Sequence, residues 1–171
     1  MKYYLLLFLF AYSLSATSQV LPTLSAETAD RKQIALPNDL IGKYSLLCFA
    51  TSSKAQKDLE TWMDPVYQKY IAKTGLMDDI FDVNVFFIPI LKGIQTTMME
   101  SFKRKVREAQ ADLQPHVLFV SGNGDQLVTS LHMTQSDIPY IFLLDKEGKI
   151  IYKTTGTYTE KKWDDLDDLI E

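Results

Sequence analysis

The run Tyr44-Ser45-Leu46-Leu47-Cys48-Phe49-Ala50 constrains this chain more than any other stretch. A strand with one face in water alternates apolar and polar residues, and this one does not. Both of its faces need covering, which predicts a central strand in a sheet. Directly downstream, Ala55, Leu59, Trp62, Val66, Tyr70 and Ile71 recur at steps of three or four, the buried stripe of a helix over 53–73. Ser52 or Ser53 is placed to cap that helix, and Pro65 predicts a kink or a break into two helices. A strand feeding a helix, in a chain of 171 residues that is 46% hydrophobic and 23% charged, predicts one α/β domain with a sizeable core.

The remaining elements follow in alternation. Residues 19–33 form a loose lead-in, and residues 34–43 a short extended piece with a turn. Val83 to Leu91 is rich in β-branched and aromatic residues and predicts a second strand. Met98, Met99, Phe102, Val106, Ala109 and Leu113 mark a helix from Gln95 to Leu113, with the two methionines filling core gaps. His116 to Val120 predicts a short strand, Ser121 to Gly124 a turn and Asp125 to Met133 a short helix. Tyr140 to Leu144 and Lys149 to Thr155 predict a hairpin closed by Asp145-Lys146-Glu147-Gly148. In the last helix, Thr157 and Glu160 are spaced as a capping box, with Trp163, Leu166, Leu169 and Ile170 inward. The result is β-α-β-α, an inserted βα unit, then β-β-α around a mixed sheet.

Ahead of this domain, assigned to 34–171, Lys2 precedes an apolar run from Tyr3 to Leu14 and the small residues Ala16-Thr17-Ser18. That pattern predicts a signal peptide over 1–18 cleaved before Gln19, and hence a periplasmic or secreted mature chain. Loss of Lys2 leaves 17 basic against 22 acidic residues, a net charge of −5. An acidic chain is a poor match for nucleic acid. An oxidising compartment favours disulfides, but Cys48 is the sole cysteine and no internal disulfide can form. Within an apolar strand it reads as a small core residue.

Two stretches carry a resemblance. Asp39-Leu40-Ile41-Gly42-Lys43 entering the apolar strand, and Asp137 to Ile150 with its proline and hairpin, resemble the thioredoxin-like superfamily, in particular its exported, peroxiredoxin-like and TlpA-like branch. The resemblance implies a thioredoxin-like mixed sheet flanked by helices, a cis bond before Pro139, and a redox site at the start of the first helix. The two cysteines of that site would fall on Ser53 and Gln56. Neither a hydroxyl nor a carboxamide can attack a disulfide sulfur, so dithiol exchange is excluded. A second resemblance is to the Atp10-like assembly factors of ATP synthase, which also lack the pair: Trp62 and Pro65 follow the first strand, and Gly156 follows the hairpin. It implies binding without catalysis, although those factors are mitochondrial and this chain carries no Arg-rich transit peptide.

The implied surface is a groove that holds an extended polypeptide partner through main-chain bonds, with Ile138, Pro139 and Tyr140 as the contact and Ser53 and Gln56 as polar neighbours. An enzyme reading uses Cys48 as a single-cysteine peroxidase or mixed-disulfide carrier, or Ser53 as a nucleophile with Lys57 as base. The other features are plainer. His116 and His132 lack zinc spacing, and Asp78, Asp79 and Asp82 lack the glycine and spacing of a calcium loop. Gly122-Asn123-Gly124 is a turn and not a phosphate cradle, so no metal or cofactor is expected. Asp164, Asp165, Asp167 and Asp168 read as a solvated helix face. Lys103, Arg104, Lys105 and Arg107 form a basic patch that admits peripheral membrane contact. The oligomeric state and the identity of the partner are not encoded in any motif.

Overall fold

The computed structural model describes residues 21–90, 96–108, 111–120, 122 and 124–170, with backbone alone over 96–99. The expected signal peptide with its cleavage point before Gln19, and the side chains of Met98 and Met99, lie outside what is described. Strand β3 (Tyr44–Ala50) occupies the stretch singled out above, and its six residues from Ser45 onward are buried. It pairs in parallel with β4 (Val83–Pro89) and antiparallel with β6 (Tyr140–Leu144), which in turn pairs antiparallel with β7 (Ile150–Thr155). The order β4-β3-β6-β7 puts the apolar strand in the middle, as its two greasy faces require.

Alternation along β3 divides the core. Leu47 and Phe49 face one side with Phe86, Ile88 and Phe142, and the Phe49 and Phe142 rings meet edge to face at 5.7 Å. Leu46, Cys48 and Ala50 face the other, under Ala55, Leu59, Trp62 and Val66 of α1 (Ser53–Val66) and Leu166 of α4 (Glu160–Asp167). Each fully buried Leu or Phe contributes about 1.5–3 kcal/mol relative to exposure, so both faces are strongly held. The one buried hydroxyl on β3, Ser45, accepts from Asn84 Nδ2 at 3.1 Å, and no described buried side-chain nitrogen or oxygen is left without a partner.

A second sheet of three strands has the order β2-β1-β5. Its members are β1 (Leu24–Thr28), β2 (Gln33–Leu36) and β5 (Leu118–Val120), all antiparallel. It meets the larger sheet through one backbone bridge, Phe87 to Val117. The helix α2 (Thr96–Glu108) lies between β4 and β5 in sequence, and α3 (Gly124–Ser130) completes the inserted βα unit.

Several expectations are corrected. The loose lead-in is ordered from Leu24, because Ala26 and Thr28 point inward and pair across to β2 and β5. Pro65 does not break α1; the helix passes it and widens into a π-helical turn over Tyr67–Ile71, where Ala72 N–H reaches back to Tyr67 C=O. The cap of α4 is Thr159, whose hydroxyl accepts Lys162 N–H, and not Thr157. Leu169 is 38% exposed, while Leu166 and Ile170 hold the inward positions. The helix expected to run to Leu113 is described over Thr96–Glu108, and Leu113 falls instead in a 3₁₀ turn over Ala111–His116 that leads into β5.

Candidate functional site

The end of β3 and the start of α1 form the position where the resemblance places a redox pair. Ser52 has extended backbone and caps α1, its hydroxyl accepting Ala55 N–H at 3.1 Å while its carbonyl accepts Gln56 N–H at 2.9 Å. The cap satisfies only part of the first turn, and the N–H groups of Ser53 and Lys54 bond to no described residue. Ser53 and Gln56 are both exposed and lie three residues apart on that turn.

The segment before β6 lies beside it. Thr51 Oγ1 donates to the Ser136 carbonyl at 3.0 Å, joining the exit of β3 to this loop across 85 residues of sequence. The loop is braced again by Tyr140, whose hydroxyl accepts Gln135 N–H at 2.9 Å. Tyr140 is 4% exposed, its ring stacked on Phe142 at 6.4 Å, and Pro139 is buried with its carbonyl accepting Gly156 N–H at 3.0 Å. Ile138 is different: it is half-buried, and its backbone makes no hydrogen bond to any described residue.

The five candidate residues therefore divide into two groups. Ser53, Gln56 and Ile138 present atoms to solvent, and Pro139 and Tyr140 are buried. The expected cis bond at Pro139 is corrected: the cis bond among the described residues is Leu36–Pro37, and Ile138–Pro139 is trans. Trans is the isomer that an X–Pro bond favours by about 0.5–1 kcal/mol when no contact demands the other. Sequence reasoning missed Thr51, although a hydroxyl at the mouth of a buried strand was a usable sign.

Cys48 is free, fully buried and enclosed between Phe87 and Ile141 on the neighbouring strands. Burial pushes its thiol pKa far up, so the nucleophilic thiolate is suppressed. Ser53 makes no hydrogen bond to Lys57, and both are exposed, so the geometry lacks an activated nucleophile. Among the described residues no three His, Cys, Asp or Glu side chains gather as a metal site. His116 is tied through Nδ1 to the Val85 carbonyl at 2.9 Å.

The charged features are mostly paired. In the basic patch Lys103 meets Glu27 and Glu100, Arg104 meets Glu108, and Arg107 meets Glu100. Asp167 departs from the solvated face expected of it, since it is half-buried and holds both Lys69 and the Tyr70 hydroxyl. Burial and this carboxylate raise the Tyr70 pKa. No helix among the described residues is long and apolar enough to cross a membrane.

Comparison with known proteins agrees with this architecture. The family model described as ATP10 protein matches residues 11–171. No curated protein matches the chain. Among solved structures, the thioredoxin domain of a thiol-disulfide oxidoreductase from Bacteroides vulgatus is similar, with a TM-score of 0.61 and 19% identity, covering 91% of this chain and 99% of that one. The pneumococcal exposed lipoprotein thioredoxin Etrx1 from Streptococcus pneumoniae gives 0.58 and 20%, covering 86% and 100%. Yeast Sco1 gives 0.54 and 18%, covering 88% and 92%. These likenesses establish a thioredoxin fold.

Proposed function

The chain belongs to the ATP10 protein family, and on that premise we propose that it is an exported, non-catalytic thioredoxin-fold protein that binds a polypeptide partner in an assembly role. The observation that carries the reading is the pair Ser53 and Gln56 at the start of α1, with Thr51 bonded to the loop of Ile138, whose main chain makes no hydrogen bond to any described residue. A partner segment in extended form would exchange main-chain hydrogen bonds with Ile138 and lie across the first turn of α1. No sulfur takes part. The burial of Cys48 supports binding over thiol chemistry, and the apolar run Tyr3 to Leu14 supports export.

The test places a photo-crosslinking residue at Ser53 and compares Ile138→Pro, which removes the N–H donor, with the natural residue. Capture of one defined partner from the native compartment is expected, reduced several-fold by Ile138→Pro. Equal capture by both would refute the groove. Turnover of a disulfide substrate by the purified mature chain would refute the non-catalytic reading.

A further inference from the structure

Between α1 and α2 lies a cavity of about 290 Å³ that meets the groove only at Gln56. Leu59 and Met63 line it from α1, Phe87 from β4, and Phe102 and Val106 from α2. Its walls are apolar, and its charged and amide groups stand at the rim: Gln56, Glu60 and Lys105. Leu59 and Phe87 are each 6% exposed and form the floor, whereas Met63, Phe102 and Val106 are half-buried and flank the entrance.

The rim is electrostatically incomplete. Lys105 sits in the basic patch of α2, yet unlike Lys103, Arg104 and Arg107 it makes no ion pair with any described residue. Glu60, on the facing helix, is likewise outside ion-pair distance of it. An apolar hollow of about 150 Å³ stays dry and accepts a molecule the size of benzene, so one nearly twice as large holds a longer apolar guest. It is also at the bottom of the range of about 300–1,000 Å³ for small-molecule sites, too small for a lipid with two chains. With Lys105 on the α2 side of the rim and Glu60 on the α1 side, a ligand with one anionic head on one tail can meet the ammonium while its tail fills the slot.

We propose that this cavity binds a medium-chain carboxylic acid, with the alkyl tail between α1 and α2 and the carboxylate against Lys105. This site adjoins the polypeptide groove and shares Gln56 with it, but its Lys105, Glu60 and Val106 belong to the cavity alone. Glu60 opposes the headgroup, which makes the charge balance of the rim testable from both sides.

Titration calorimetry of the mature protein with decanoate, decanol and decyltrimethylammonium tests it. Saturable decanoate binding is expected, weakened about tenfold by Lys105→Glu and tightened about twofold by Glu60→Gln, with decanol indifferent to either change. Val106→Trp fills the slot and should abolish uptake of decanoate and decanol alike; circular dichroism confirms that it folds, and Met63→Trp repeats the block from the other wall. The proposal is overturned if decanoate shows no saturation by about 1 mM. It is also overturned if Lys105→Glu leaves decanoate unaffected, or if decyltrimethylammonium binds as tightly. Binding of N-acetyl-phenylalaninamide in place of decanoate would assign the cavity to a partner's side chain instead.

Discussion

Replacing Trp62 by Phe isolates the contact that fastens α1 to the far edge of the sheet. Trp62 is 0% exposed, its Nε1–H donates to the Gly156 carbonyl at 2.9 Å, and its ring meets Tyr158 edge to face at 5.5 Å. Phe keeps a ring but strands the Gly156 carbonyl, at a cost of about 1–3 kcal/mol. The smaller ring leaves roughly 40 Å³ unfilled, which at about 24 cal/mol per Å³ adds about 1 kcal/mol. The sum is about 2–4 kcal/mol, or roughly 4–16 °C in melting temperature for a domain of this size. Urea unfolding followed by circular dichroism should show the midpoint falling with an unchanged slope. Trp62→Leu, which loses the ring as well, should cost more. A midpoint shift worth less than about 0.5 kcal/mol for Trp62→Phe would refute the role given to the indole bond.

Two further outcomes follow from the site. Burial holds the Cys48 proton well above the range of a free thiol, about 8.5, so above that pH the unfolded chain loses a proton the folded chain keeps. This contribution to stability is full below about pH 8 and falls with rising pH by up to about 1.4 kcal/mol per unit; Cys48→Ala should flatten the slope between about pH 8.5 and 10, and thiol reagents should label the native protein only after denaturation. The double substitution Ser53→Cys with Gln56→Cys should place a thiol pair on the first turn of α1 and confer measurable insulin reduction, with none expected from the natural chain; failure to form a reversible disulfide would count against the assigned position of the lost redox pair.

The parts of the fold that were legible are those where burial is written into long periodic patterns. β3 spans the residues its apolar run predicts, and the stripe of α1 lands on Ala55, Leu59, Trp62 and Val66. β1 was illegible because Leu24-Ser25-Ala26-Glu27-Thr28 fills its core positions with a small residue and a hydroxyl, which carry little hydrophobic contrast. Asp167 was misjudged because its partners lie nearly a hundred residues upstream, in the π-helical turn, beyond the reach of any local pattern. At the proposed site, the exit of the strand pointed to Ser53 and Gln56, and both are exposed on the first turn of α1. The inward turn of Tyr140 was not, since an aromatic residue at the head of a strand fits either face until its stacking partner is known. The cavity had no sequence trace at all: Phe102 and Val106 continue an ordinary core stripe, and only the spacing of two helices leaves room beside them.

Among the described residues, the bridge from Phe87 to Val117 is the backbone stitch between the two sheets. The strands across it are held instead by side chains, Ala26, Leu36 and Leu118 packing in one cluster with Leu47 and Phe142, so their amides should exchange with solvent only when that shared core opens. Val117 also borders the hollow beneath α2, so whatever fills that hollow would tighten the seam and be felt as slower exchange in strands it never touches.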